Sequence, residues 1–223
     1  MPIAAEPDSA ARVPWRTELA RRARYHLGLK TAGISLFMWL FFMAYFQVLR
    51  HPTSAVTLMP LTALDRAIPF TPAALAVYVS LWLYVGIAPG LMPTLRSAAV
   101  YGLWAAGLCG TGLALFHFFP TAVPPPSPPI DAARHFGFAM LQGVDAAGNA
   151  CPSLHVASAV FTGAWIVRLL KDAGAPAPLQ WLNALWMVAI VWSTLATRQH
   201  VAIDAAAGAA LGAAFAWASL RGH

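Results

Sequence analysis

Six long apolar runs follow one another along this chain: Thr31–Leu49, Ala73–Met92, Ala98–Phe119, Leu154–Leu170, Trp181–Ala196 and Val201–Leu220. Each approaches the roughly 20 residues that an α-helix needs to cross the hydrocarbon core of a bilayer. Backbone amides in that core have no water to bond, so such runs fold as helices whose hydrogen bonds close within the segment. The expected fold class is all-α: a polytopic membrane protein with six transmembrane helices. The charge content agrees. Only 14 Lys+Arg and 8 Asp+Glu occur in 223 residues, or 10%, against about 25% in ordinary soluble domains. So few polar groups could not cover a water-soluble globule, and they exclude disorder or a coiled coil over most of the chain. Two cysteines, Cys109 in an apolar run and Cys151 in a polar loop, do not make a disulfide framework.

The chain divides into a tail with a basic flank, residues 1–30, and a membrane domain, residues 31–220. Residues 1–14 hold three prolines and read as a loose tail. From Trp15 to Lys30, Trp15, Leu19, Ala23 and Leu27 recur every four residues. This stretch is either a helix lying on an anionic leaflet or a solvated positive flank that orients the first span. The first run is too long for a signal peptide, and no small-x-small cleavage site precedes Arg50.

Under six spans, ten basic residues fall on one side (Arg12, Arg16, Arg21, Arg22, Arg24, Lys30, Arg96, Arg168, Lys171, Arg221) and four on the other (Arg50, Arg66, Arg134, Arg198). The excess is expected on the cytoplasmic side, with both termini. The net charge of +6 therefore marks a membrane flank and not a nucleic-acid surface. The 120–152 loop and the turn near 197–200 then share the outer face. Residues 120–129, PTAVPPPSPP, favour polyproline II and read as a stiff rim or a spacer.

Two segments stand apart from the apolar background. One is Cys151-Pro152-Ser153-Leu154-His155, at the start of the fourth run. The other is Ser193-Thr194-Leu195-Ala196-Thr197-Arg198-Gln199-His200-Val201-Ala202-Ile203-Asp204, leading into the sixth. Ionisable groups at the lip of a transmembrane helix are costly, and they point to a functional site. His200 and Asp204 are four apart and, if helical, lie on one face. The carboxylate can hold one imidazole nitrogen and leave the other free as nucleophile or base. His155, from another helix, can serve as general acid. Two histidines and a carboxylate suit phosphoryl transfer, with Ser153, the amides of Leu154 and His155, and Arg198 as donors to the phosphate oxygens. Each also has a bland reading: an interfacial histidine, a helix cap at Ser153, a buried polar contact at Asp204. Metal binding by this set is a minor alternative, and Cys151 as nucleophile a smaller one.

CPSLHVASA followed by STLATRQHVAID resembles the type 2 phosphatidic acid phosphatase superfamily, and within it the inositol phosphorylceramide synthase-like phosphotransferases and related bacterial proteins. The general pattern is KxxxxxxRP, PSGH and SRxxxxxHxxxD. Pro152, Ser153 and His155 match the second motif, with Leu154 for Gly. Ser193, His200 and Asp204 match the third, with Thr194 for Arg, and 37 residues (156–192) separate the two. The first motif's Lys and Arg-Pro are absent, and Phe119-Pro120-Thr121 stands there, as in the phosphotransferase branch.

The resemblance implies a six-helix bundle whose site faces the outer side of a bacterial plasma membrane. It implies a membrane lipid-phosphate phosphatase or phosphotransferase, with His200 as the nucleophile forming a phosphohistidine, Asp204 orienting it and His155 protonating the leaving group. Ser153, Leu154, Arg198 and Arg134 would bind the phosphate. The expected partners are a lipid phosphate or phospholipid and an alcohol acceptor, with no metal, cofactor or nucleic acid. A catalytically degenerate member that binds or moves lipids is the alternative.

Overall fold

The computed structural model describes residues 13–125 and 148–221. Its helices are α1 (Trp15–Arg24), α2 (Leu27–Arg50), α3 (Ala63–Ala67), α4 (Leu75–Val79), α5 (Leu81–Gly90), α6 (Leu95–Phe118), α7 (Leu154–Asp172), α8 (Ala177–Ala196) and α9 (Ala202–Arg221). Six of the resulting spans are long and apolar enough to cross a membrane: α2, the 72–90 segment containing α4 and α5, α6, α7, α8 and α9. Two short strands, β1 (Thr57–Leu58) and β2 (Thr121–Ala122), pair in parallel beside one end of the bundle.

The six runs all become helices, and their ends differ from the sequence reading for local reasons. α2 starts at Leu27, so Lys30 lies inside it and is buried. Its ammonium donates to the carbonyls of Arg22, Gly90 and Met92, each at 2.8 Å. Three charge-assisted bonds offset the desolvation of one cation. α6 starts at Leu95 because Thr94 and Ser97 cap it reciprocally. α8 starts at Ala177, with Pro178 in its first turn, where a missing N–H costs nothing.

α1 is a separate short helix. The chain turns at His26, in the left-handed region at φ 47°, so Leu27 belongs to α2 and the four-residue stripe is broken. Trp15 and Leu19 pack against the bundle core. Glu18 bonds Arg21 and Arg22, and these bonds hold its carboxyl down at about 2.

α7 is the most deeply buried span. It packs between α9, α8, α5 and α6, with Phe161, Trp165 and Leu169 in the core. Polar pairs tie the spans where each unsatisfied group would be costly. Tyr84 donates to Asn183 at 2.7 Å, Asn183 to the Gly163 carbonyl at 3.0 Å, and Trp165 to Ser219 at 3.0 Å. The first span sits at the periphery. Leu36, Trp39, Leu40 and Met43 on α2 are exposed, as a lipid-facing surface requires. Cys109 and Cys151 are both free thiols.

Candidate active site

The two motif segments meet at one end of the bundle. Ser153 is fully buried and caps α7, its hydroxyl oxygen accepting from the Val156 amide at 3.3 Å. Its own amide donates to the Asp204 carbonyl at 2.9 Å, so the second motif is hydrogen-bonded directly to the third. The amides of Leu154 and His155 open α7, where no preceding helical carbonyl can reach them. The Leu154 side chain packs onto Gly112 of α6, whose missing Cβ makes its room. A leucine in place of the pattern's glycine is thereby accommodated.

The third motif is a turn between α8 and α9. The Gln199 and His200 amides both donate to the Thr194 carbonyl at 3.1 Å. The Ser193 and Thr194 hydroxyls return to carbonyls of their own helix, Ile190 and Val191. Thr194, at the pattern's arginine position, therefore brings no charge to the site. His200 Nδ1 lies 3.0 Å from Asp204 Oδ2, and Asp204 is fully buried. The His155 ring is 5.8 Å from that of His200, at 54°. His155 Nε2 and Asp204 Oδ1 are buried without a hydrogen-bond partner among the described residues.

Both histidines line one end of a cavity of about 480 Å³. Its walls are mostly apolar and come from α2, α4, α5, α6 and α7. It runs back to Lys30 and Gly33 at the other end of α2. Lys30 and Tyr45, both on its wall, are fifteen residues apart, which is roughly 22 Å of helix. The arrangement therefore sets two imidazoles, one of them backed by a carboxylate, beside a slot as long as a hydrocarbon chain.

A model of the PAP2 superfamily matches residues 63–218, from α3 to α9. The chain belongs to the PAP2 superfamily. No curated protein and no solved structure gives a match.

Among the other residues singled out from sequence, Arg134 lies outside the described residues, as do residues 1–12 and the proline run from 126 onward. Arg198 is directed at α3. It sits at φ 59°, and its terminal nitrogens donate to the carbonyls of Asp65 (2.5 Å) and Ile68 (2.8 Å). Asp65 completes the clamp. Its carboxylate accepts from the Ala202 amide at 2.7 Å and from Thr62 at 2.7 Å. Burial alone would raise this carboxyl; bonds from Thr62 and Ala202 and the nearby Arg198 charge outweigh it and hold it below the usual range. α3 thus grips the chain two residues before and two residues after His200. The Phe119-Pro120-Thr121 segment is also structural. The Thr121 hydroxyl accepts from the Cys151 amide at 2.8 Å, and its carbonyl from the Ala150 amide at 3.0 Å.

Thr62-x-x-Asp65 is a capping-box pattern that marks the start of α3, but nothing local shows the bond to the Ala202 amide, which lies 137 positions away. Asp65→Ala strands the Ala202 amide and is expected to cost roughly 2 kcal/mol of stability at neutral pH. The sign with pH follows from the lowered folded-state value. The contribution is present above the unfolded carboxyl pKa, about 3.9, and is lost as pH falls through the folded value. Thermal melts in detergent should therefore show a gap between wild type and Asp65→Ala that narrows below about pH 4. Activity should fall too, on the order of 10-fold or more, because the turn carrying His200 loosens.

Proposed function

We propose that this PAP2-superfamily protein is a lipid-phosphate phosphatase or phosphotransferase working through a phosphohistidine. The observation that carries the reading is the buried His200–Asp204 pair at 3.0 Å, with the His155 ring 5.8 Å away at one end of an apolar cavity. Asp204 holds the Nδ1 proton of His200, leaving Nε2 to attack phosphorus. The Nε2–P bond forms as the P–O bond to the leaving group breaks, and His155 Nε2 gives its proton to the departing oxygen. Asp204 balances the positive charge on the phosphorylated ring. Water or an acceptor hydroxyl then attacks phosphorus while His155 takes back a proton, and the N–P bond breaks.

The α7 amides of Leu154 and His155 supply donors for the equatorial oxygens. Arg134 is the candidate cation. Arg198 contributes by fixing the turn. The hydrocarbon tail occupies the cavity. The basic-residue bias supports cytoplasmic termini and a site on the outer side of a bacterial plasma membrane. Leu154 and the Phe119-Pro120-Thr121 segment favour the inositol phosphorylceramide synthase-like branch, in which an alcohol replaces water as acceptor.

Incubating the purified protein with radiolabelled lipid phosphates and phospholipids, with and without alcohol acceptors, tests this. Free phosphate identifies hydrolysis, and a labelled phosphorylated alcohol identifies transfer. Vanadate is expected to inhibit, and EDTA to leave activity intact. Strict dependence on added metal would overturn the mechanism. A lipid-binding or lipid-moving protein without catalysis is the second reading, favoured by Thr194 and Arg198 placing no charge on the histidines. Lipid-dependent thermal stabilisation with neither product would establish it.

A further inference from the structure

His200 has a carboxylate behind it. Among the described residues His155 has none; Tyr78 and Trp82 surround it on that side. Tyr78 of α4 stacks on the His155 ring, with centroids 4.4 Å apart and planes 20° from parallel. The Tyr78 hydroxyl lies 3.5 Å from His155 Nδ1. Trp82, one turn on and beyond the Ser80 junction between α4 and α5, meets the same ring edge-on at 5.5 Å and 73°. Tyr78 is itself buried, 5% exposed. Two residues thus confine the imidazole: Tyr78 covers its face and sets a hydroxyl near Nδ1, and Trp82 limits its rotation.

We infer that Tyr78 is the positioning residue of the general acid. This rests on the phosphohistidine reading, in which His155 Nε2 delivers a proton to the leaving oxygen. A general acid at Nε2 needs Nδ1 engaged in both of its protonation states. The imidazolium gives up its Nε2 proton and keeps the one on Nδ1, so the Tyr78 oxygen, 3.5 Å away, serves as acceptor for Nδ1–H both before and after the transfer. The stacked ring adds attraction for the cationic state. Tyr78 therefore holds His155 ready to give its proton and to take it back in the second half-reaction. It does not exchange a proton with substrate.

The test exploits leaving-group chemistry. A long-chain alkyl phosphate expels an alkoxide that must be protonated. A nitrophenyl phosphate bearing the same chain expels a stable phenolate that needs the acid far less. kcat/KM reports the steps up to phosphoenzyme formation, so the two substrates are compared on that parameter. Tyr78→Phe keeps the stack and loses the hydroxyl. It is expected to lower kcat/KM on the order of 10-fold for the alkyl substrate, the scale of one lost hydrogen bond, and several-fold less for the aryl one. Tyr78→Leu, which also removes the stack, should widen that difference, and Tyr78→Phe should recover part of it. A variant damaged only in folding loses both substrates in equal proportion. Equal losses, or none, in Tyr78→Phe overturn the inference if His155→Ala in parallel shows strong leaving-group dependence. If His155→Ala shows no such dependence, the general-acid reading itself fails, and the role of Tyr78 falls with it.

Discussion

Replacing His200 with alanine is expected to abolish turnover, by at least about 10⁴-fold, while leaving a folded, membrane-inserted protein. The size follows from its role as covalent nucleophile: once it is removed, the remaining groups have nothing to act through, as in other catalytic sets whose members work as a unit. His155→Ala should lose less, roughly 10²–10⁴-fold, the range for a positioned general acid. Asp204→Asn keeps the shape but not the charge that fixes Nδ1–H on His200. Its loss is expected on the order of 10⁴-fold, as for an orienting aspartate whose removal leaves the wrong tautomer.

The three variants are separable by trapping. With a ³²P-labelled aryl phosphate substrate, His155→Ala should still accumulate acid-labile label on the protein, because the acid is dispensable for that leaving group and its return as base is then slow. His200→Ala should carry no label. Label retained in His200→Ala, or full activity in either histidine variant, would reject the assignment. His200 is 7% exposed, lines the cavity and is the hydrogen-bond partner of the fully buried Asp204 carboxylate. Truncating the histidine leaves that buried carboxylate unpaired, so thermal stability in detergent should fall by roughly 1–3 kcal/mol while the protein still folds.

Much of this architecture is legible in the chain because membrane physics leaves few options. A run such as Thr31–Leu49, without a charge, must be a helix if it enters a bilayer. The four-residue spacing of His200 and Asp204 points to their contact, but the pair does not share a helix face: His200 stands in the turn two residues before α9 begins at Ala202 and reaches Asp204 in its first turn. The ends of the spans are harder. Lys30 reads as a flank residue because a lysine is costly inside, and only the three carbonyls converging on its ammonium make burial tolerable. Arg198 is legible as a cation beside the motif but not in its direction. That depends on a left-handed backbone at φ 59° and on the docking of α3, more than 130 positions earlier. Tyr78 is one aromatic among many in an apolar run, and nothing local marks it as the ring against His155. Non-local contacts of this kind carry no periodicity, and periodicity is what a single sequence displays.

One non-local contact does leave a trace. Gly208 and Gly212 on α9 have the four-residue spacing of closely packed membrane helices, and the structure supplies the partner. A Cβ at Gly208 would collide with the Ser153 carbonyl oxygen, and one at Gly212 with the Ala157 carbonyl oxygen. Both obstacles are α7 backbone, which cannot rotate aside as a side chain can. α9 must therefore move off α7. That movement also strains the bond from the Ser153 amide to the Asp204 carbonyl, 2.9 Å long, which joins the two halves of the site. Gly208→Ala and Gly212→Ala should each cost about 2–4 kcal/mol, at or above the usual range for overpacking. Activity should fall alongside stability, since His200 retreats from His155. The double variant should not be recoverable as folded protein. Gly110→Ala on α6 is the matched control. Nothing lies within 4 Å of its added Cβ, so it should be neutral or stabilising by up to about 1 kcal/mol through helix propensity. Detergent melts and kcat on the same preparations decide the matter. If Gly208→Ala melts with Gly110→Ala and keeps its rate, backbone contact between α7 and α9 is not what holds the two histidines together.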